Sequence, residues 1–273
     1  MPRITSNDVE LSYTDSGGDG RAVVLIHGWP LSGASWSAQV PALTSAGYRV
    51  ITYDRRGFGD SDKPASGYDY DTFAADLAGL LDSLDVSDVT LVGFSMGGGE
   101  VVRYLSSQGS ARVRSAVLAG AVPPYLLKTD DNPDGGLQDE DVEGMKSGVR
   151  EDRAGFLDGF TTDFFSANGE LKVTEAQRQE ALALAAPALD EAVVACIDAF
   201  GRTDFRGDLD AVDVPVLVIH GDGDAIVPFE VSGQRSAEQL SDATLHVVEG
   251  GPHGFNVSHA DELNQALLEF LKD

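Results

Sequence analysis

Cysteine is almost missing from this sequence, since Cys196 is the only one among 273 residues. A single cysteine excludes a disulfide within the chain, and its place in the helical-looking segment ALDEAVVACIDAF favours a small core residue over a nucleophile. The sequence also lacks any apolar run near the roughly 20 residues that a membrane-spanning helix needs, and its first residues do not resemble a signal peptide. We therefore expect a soluble, cytoplasmic protein with no membrane partner.

Lysine and arginine are also scarce in this sequence. The chain has 19 Lys and Arg against 45 Asp and Glu, a formal net charge of -26. Nucleic acid is excluded as a partner because phosphate binding needs a cationic patch, and the sequence offers none. An acidic cluster between Asp130 and Glu143 lacks the spacing of a calcium-binding EF-hand loop, so we interpret it as solvated surface and expect no metal site.

Short apolar runs alternate with amphipathic helical patterns in the first part of the chain. Strands that are buried on both faces and joined by helices predict an α/β fold with a mostly parallel, doubly wound sheet. The opening segment ITSNDVELSYTDSG alternates polar and apolar residues, which predicts an antiparallel edge hairpin. The runs are AVVLIHG (22–28), YRVITYD (48–54), VTLVGFS (89–95) and VRSAVLAGAV (113–122).

The pattern changes after Pro123 and Pro124, and residues 123–206 show only helical periodicity. Strand patterns return at VPVLVIHGDGD (214–224) and ATLHVVEGG (243–251). We therefore predict a core domain formed by residues 1–122 and 207–273, with residues 123–206 inserted as an all-helical cap. Such a cap lies over the carboxyl ends of the parallel strands, where open α/β sheets bind their ligands.

The most specific motif is Gly93-Phe94-Ser95-Met96-Gly97, because a predicted strand comes directly before it and a helix directly after it. In that context G-x-S-x-G exposes the serine hydroxyl on a sharp turn at the sheet edge. The helix N-terminus then directs its free N–H groups at negative charge that develops on a bound carbonyl. Ser95 is therefore the candidate nucleophile.

A serine nucleophile needs a histidine base and a carboxylate that orients the histidine. Among five histidines, only His253 lies in a loop that follows the last predicted strand, whereas His27 and His220 end core strands and favour hydrogen bonds to backbone groups. The loop after VPVLVIHG offers two acids, Asp222 and Asp224. Spacing favours Asp224 for reach and Asp222 for holding the turn, but it leaves both open.

The sequence resembles the α/β-hydrolase fold family, and within it the cofactor-free haloperoxidases (perhydrolases) and aryl esterases. The resemblance implies that Ser95 is the nucleophile, His253 the base and Asp224 the acid. It also assigns the oxyanion hole to the backbone N–H groups of Met96 and Trp29. The motifs that carry it are HGWPLSG (27–33), YDRRGFGDSDKP (53–64), GFSMGGGE (93–100), TDFRGDL (203–209), GDGDAIVPFE (221–230) and PHGF (252–255).

The resemblance further implies an apolar pocket that accepts a small acyl group. The expected reaction is hydrolysis of small carboxylic esters through an acyl-enzyme, with hydrogen peroxide as an alternative acceptor that yields a peracid, and it requires no cofactor. A lactonase, a carbon–carbon bond hydrolase and a non-catalytic receptor stay open as alternatives, as does a homo-oligomer. The expected pocket residues are Phe94, Val122, Phe160, Phe164, Phe200, Ile226 and Val227.

Overall fold

A mostly parallel sheet organises residues 1–272, the part of the chain that the computed structural model describes. The strands are Arg3–Ser6 (β1), Val9–Asp15 (β2), Ala22–Ile26 (β3), Arg49–Tyr53 (β4), Val89–Phe94 (β5), Val113–Ala119 (β6), Ser166–Ala167 (β7), Glu170–Leu171 (β8), Val216–Gly221 (β9) and Ala243–Val248 (β10). The main sheet has the order β1-β2-β4-β3-β5-β6-β9-β10. β1 and β2 form the expected antiparallel edge hairpin, and the strands from β4 to β10 in this order pair in parallel.

Helices connect these strands and cover the sheet. They are Gln39–Ser45 (α1), Tyr70–Ser83 (α2), Met96–Gln108 (α3), Asp139–Phe164 (α4), Glu175–Ala185 (α5), Asp190–Arg202 (α6), Arg206–Asp210 (α7), Gly233–Gln239 (α8), Phe255–Ser258 (α9) and Ala260–Phe270 (α10), with a 3-10 turn at Gly33–Trp36. Local sequence fixes several helix starts: the side chain of Asp69 caps α2, and Thr174 with Gln177 forms a capping box on α5. The prediction of an α/β fold is confirmed.

Residues 123–206 contribute no strand to the main sheet in the described part of the chain, but they are not entirely helical. β7 and β8 form a small antiparallel hairpin between α4 and α5, so the expectation of an all-helical segment is wrong. The physical reason is the Asn168-Gly169 pair, whose φ angles of 54° and 78° form the tight turn that this dipeptide favours. We refer to residues 123–206 below as the insert.

The sheet brings the candidate residues to one edge. β5, β9 and β10 run in parallel, so the loops that follow them leave the sheet on the same side. Ser95 follows β5, Asp224 follows β9 and His253 follows β10. Among residues 1–272, none of the helices has the length and apolar character to cross a membrane.

Candidate active site

Ser95 lies on a strained turn between β5 and α3. Its φ and ψ angles are 54° and −120°, a conformation that non-glycine residues rarely adopt. Glycine is required on both sides of the turn because a Cβ atom at Gly93 would lie 2.4 Å from the carbonyl oxygen of Gly97, and a Cβ atom at Gly97 would lie 2.5 Å from that of Ile26. The motif therefore folds as its local sequence predicts.

Three predicted side chains form one hydrogen-bonded chain. The Oγ atom of Ser95 lies 2.9 Å from Nε2 of His253, and Nδ1 of His253 lies 2.6 Å from Oδ2 of Asp224. Asp224 and His253 are almost completely buried. Because the Nδ1–H group donates to the carboxylate, Nε2 is left to accept a proton from the serine hydroxyl.

Four donors surround the carboxylate of Asp224. Oδ1 accepts hydrogen bonds from the backbone N–H groups of Ile226 and Val227, at 2.9 and 2.8 Å. Oδ2 accepts from His253 and lies 3.3 Å from Nε2 of a second buried histidine, His220, which also donates to the carbonyl of Val227. Burial alone would raise the pKa of the Asp224 carboxyl, but its interactions with His253 and His220 hold that pKa below its ordinary value.

Asp222 lies in a different environment although it is only two residues away. Its side chain is exposed, and Oδ1 accepts a hydrogen bond from the backbone N–H of Gly250, at 2.6 Å. The side chain thus joins the loop after β9 to the loop after β10. This is the turn-holding contact that spacing favours for Asp222, and it leaves Asp224 as the acid that contacts His253.

Two backbone N–H groups beside Ser95 have no acceptor. Those of Trp29 and Met96 donate to no other protein group within residues 1–272. The loop that carries Trp29 passes close to the serine, since a Cβ atom on Gly28 would lie 3.0 Å from that of Ser95. These groups are the ones that the resemblance assigns to the oxyanion hole, and that role stays a prediction.

His27 fixes the peptide between Gly28 and Trp29. Its Nε2 accepts from the backbone N–H of Arg55 at 3.0 Å, so Nδ1 carries the proton and donates to the Gly28 carbonyl at 2.9 Å. The Leu31 N–H binds the same carbonyl at 3.0 Å. Because C=O and N–H point in opposite directions across a trans peptide, these two donors turn the Trp29 N–H away from them. Burial and the Arg55 charge lower the pKa of His27 well below 6.5, so the ring is neutral.

A buried ion pair supports this loop from below. The guanidinium of Arg55 binds the carboxylate of Glu100 on α3 with Nε 2.7 Å from Oε2, and it donates to the carbonyl of His27 at 3.0 Å. Tyr53 donates its hydroxyl to the other oxygen of Glu100. Arg55 and Glu100 come from two of the motifs that carry the family resemblance, but no pattern in the sequence indicates that they meet.

A small cavity opens onto Ser95 between the core and the insert. Its volume is about 40 Å³. Five of the seven expected pocket residues line it, together with Trp29, which was expected only for its backbone N–H, and three residues that no sequence pattern singled out. The expected residues are Val122, Phe160, Phe200, Ile226 and Val227, and the additional ones are Trp29, Leu126, Leu137 and Met145.

Phe94 and Phe164, the other two expected pocket residues, do not line this small cavity. Both side chains are buried against His253, with ring centroids 5.2 and 4.9 Å from the imidazole. Phe94 is the last residue of β5, directly before Ser95, so its ring lies beside the imidazole that the serine contacts. The backbone of Phe164 also accepts a hydrogen bond from Gly254, at 2.7 Å, which places its ring on the imidazole.

Three members of the acidic cluster between Asp130 and Glu143 bind arginine side chains. Asp131 pairs with Arg206, whereas Asp139 and Glu143 pair with Arg202. Within residues 1–272, no group of three or more His, Cys, Asp or Glu side chains is arranged to hold a metal ion.

The chain is similar to known proteins over nearly all of its length. The family model of the α/β hydrolase fold matches residues 21–260. A non-heme chloroperoxidase of Kitasatospora aureofaciens is 48% identical over 275 residues, with 99% of each chain covered. A bifunctional esterase/perhydrolase of Acinetobacter calcoaceticus is 37% identical over 281 residues, with 100% of each chain covered. The crystal structure of a bromoperoxidase from Bacillus anthracis is 55% identical with a TM-score of 0.95, and the match covers 97% of this chain and 96% of that one.

Proposed function

Because the chain belongs to the α/β-hydrolase fold family, we propose that it is a serine hydrolase of small carboxylic esters that also forms peracids from hydrogen peroxide. The observation that carries the proposal is the chain of hydrogen bonds from Ser95 through His253 to Asp224. Residues 1–122 and 207–273 then act as the catalytic core, and residues 123–206 as its cap.

Acylation begins when Ser95 Oγ attacks the carbonyl carbon of the ester. His253 Nε2 takes the hydroxyl proton, and Asp224 stabilises the imidazolium that forms. The negative charge that develops on the carbonyl oxygen is stabilised by the N–H groups of Trp29 and Met96, which have no other acceptor in the described residues. His253 then gives its proton to the departing alkoxide, which leaves as the alcohol.

The acyl-enzyme has two acceptors. Water releases the carboxylic acid, and hydrogen peroxide releases the peracid, with His253 taking a proton from the acceptor in both reactions. The freed peracid then oxidises halide in solution, so halogenation does not require a second site in the protein. A cavity of about 40 Å³ with mainly apolar walls supports a short acyl chain such as acetyl.

The test is the Ser95→Ala variant, assayed with p-nitrophenyl acetate and with acetate plus hydrogen peroxide. We expect both activities to fall by about 10⁶-fold, since both need the same acyl-enzyme. A serine-directed phosphonate should transfer its phosphonyl group to Ser95 of the wild type, with loss of its leaving group, and mass spectrometry should find no such adduct on the variant. Circular dichroism of the variant provides the control for folding.

Two outcomes would contradict the proposal. Bromination that persists in Ser95→Ala at the wild-type rate would require a separate oxidative site. A wild type that neither turns over esters nor reacts with the phosphonate would indicate the alternative of a receptor that binds without catalysis.

A further inference from the structure

A second and larger cavity lies between the insert and the core, with a volume of about 600 Å³. Its walls come from the end of α4, from α5, from the 3-10 turn and from α9. Most of the side chains are alanine, leucine, valine and phenylalanine, so the surface is mainly apolar. The reaction proposed above assigns no role to this cavity.

This cavity is adjacent to the candidate active site. Leu31, two residues after Trp29, and Asn256, three residues after His253, both line it. Phe164 lines it as well, and its ring is the one that packs edge-on against His253 at 4.9 Å.

One aromatic layer separates the two cavities. Phe160 lines the small cavity at Ser95, Phe164 lines the large one, and their ring centroids lie 5.7 Å apart. The large cavity is therefore next to the imidazole, with a single phenylalanine ring between them.

The sizes of the two cavities suit different halves of an ester. An ester has two halves on opposite sides of its carbonyl carbon, and about 40 Å³ holds only a few water-sized groups. A short acyl chain fills that space when the carbonyl is at Ser95. The alcohol half needs a separate volume beside His253, since this histidine protonates the alcohol oxygen as the bond to the acyl carbon breaks.

We propose that the 600 Å³ cavity is the binding site for the alcohol half of the ester, which it receives when the Phe164 side chain turns aside. This inference rests on the proposed function. The occupant is a neutral, mainly apolar alkyl alcohol, because the walls are mainly apolar and the acidic side chain of Glu180 is part of the lining. An anionic alcohol half is disfavoured by Glu180 and by the net charge of -26.

The experiment compares two acetate esters with primary alcohols, methyl acetate and cyclohexylmethyl acetate. Both give the same acetyl-enzyme, so a difference between them arises from binding or acylation of the alcohol half. Leu184 of α5 lines the large cavity, whereas Leu182 on the same helix does not, and both are half-buried. Leu184→Trp fills the cavity, and Leu182→Trp is the matched control.

We expect Leu184→Trp to lower kcat/KM for cyclohexylmethyl acetate by about 10-fold or more and to change that for methyl acetate little. Leu182→Trp should leave the ratio between the two esters as in the wild type. Phe164→Leu should shift the ratio toward the bulky ester, since a smaller side chain separates the cavity from His253.

The proposal is wrong if Leu184→Trp affects both esters equally or neither of them. It is also wrong if the variant instead selectively loses methyl cyclohexylacetate, because the cavity would then hold the acyl half. A wild type that cleaves none of these esters contradicts the proposed function. In that case calorimetric binding of cyclohexylmethanol to the wild type and to Leu184→Trp tests the cavity alone, and equal binding or no binding would overturn the inference.

Discussion

The core and the insert both contain arginine–carboxylate pairs, but in opposite surroundings. In the core, Arg55 and Glu100 are paired with at most 1% of either side chain exposed. In the insert, Arg202 contacts Asp139, Glu143 and Asp198 at the surface, where 42 to 63% of each carboxylate side chain is exposed.

The difference shows where charge has a fixed geometric role. Arg55 also donates from Nη2 to the carbonyl of His27 and so holds the loop of Trp29 beside Ser95. The surface pairs of the insert instead neutralise solvated carboxylates, two of which both Arg202 and Lys146 contact. Buried pairs cost much to break, and exposed pairs contribute little.

The largest expected effect contrasts a buried carboxylate with an exposed one. Asp224→Asn should lower kcat by about 10⁴-fold, because an amide favours the wrong tautomer of His253. Asp222→Asn should retain most activity, since the Asp222 side chain is exposed and its hydrogen bond within residues 1–272 is to the Gly250 N–H. Steady-state kinetics with p-nitrophenyl acetate on folded variants measures both, and the reverse ranking would show that Asp222 is the acid.

The second prediction concerns the ion pairs themselves. Arg55→Met leaves Glu100 charged and buried, so it should lower the free energy of unfolding by about 3–5 kcal/mol. Arg202→Met should change it little, because the carboxylates it leaves are hydrated. Urea unfolding measures the two variants.

A double variant sharpens this comparison. Arg55→Met with Glu100→Leu removes both buried charges, so it should be more stable than Arg55→Met alone. If the double variant loses as much stability as the two single variants together, desolvated charge is not the cause of the loss.

The third prediction uses pH. The pKa of His27 in the folded chain is well below its ordinary 6.5, so below pH 6.5 the unfolded chain binds a proton that the folded chain does not. This contribution to stability is complete above pH 6.5 and is lost as the pH falls, by about 1.4 kcal/mol per pH unit. Urea unfolding at pH 8 and pH 5.5 should show a smaller loss for His27→Gln than for the wild type.

The matched control is His246→Gln, whose side chain is partly exposed and contacts Glu262. An equal loss of stability with pH in the wild type and in His27→Gln would show that His27 is not the group that titrates.

The smallest expected effect concerns the surface as a whole. With 45 acidic and 19 basic residues, repulsion among the acidic groups outweighs the attraction of the exposed pairs, and salt shortens its range from about 10 Å at 0.1 M to about 3 Å at 1 M. We expect Tm at pH 7.5 to rise between 0.1 M and 2 M sodium chloride. A flat or falling Tm would show that attraction within the exposed ion pairs contributes more to stability than repulsion among the excess acidic groups removes.

Local patterns were sufficient for much of the fold and part of the candidate site. Alternation and apolar runs predicted the edge hairpin and the parallel strands, because the side-chain period reports directly on burial. The turn at Ser95 was equally local, since Gly93 and Gly97 lie within two residues of it. The β7–β8 hairpin was missed although Asn168-Gly169 is a strong turn signal. Its strands are two residues long, which is too short to show an alternation of polar and apolar side chains.

The sequence by itself determined the sheet, the sharp turn at Ser95 and the loop that carries His253, because each depends on residues that are close along the chain. Local spacing left Asp222 and Asp224 open, the family resemblance chose Asp224, and the tertiary structure placed the Asp224 carboxylate on His253. The tertiary structure also decided which phenylalanines pack on the imidazole and how Arg55 and Glu100 meet below the Trp29 loop. Asp224 and His253 are 29 positions apart along the chain, Ser95 and His253 are 158 apart, and Arg55 and Glu100 are 45 apart. The physical reason is that a local pattern fixes the direction and burial of one segment, whereas its partner is fixed only when the whole sheet brings its strand ends together.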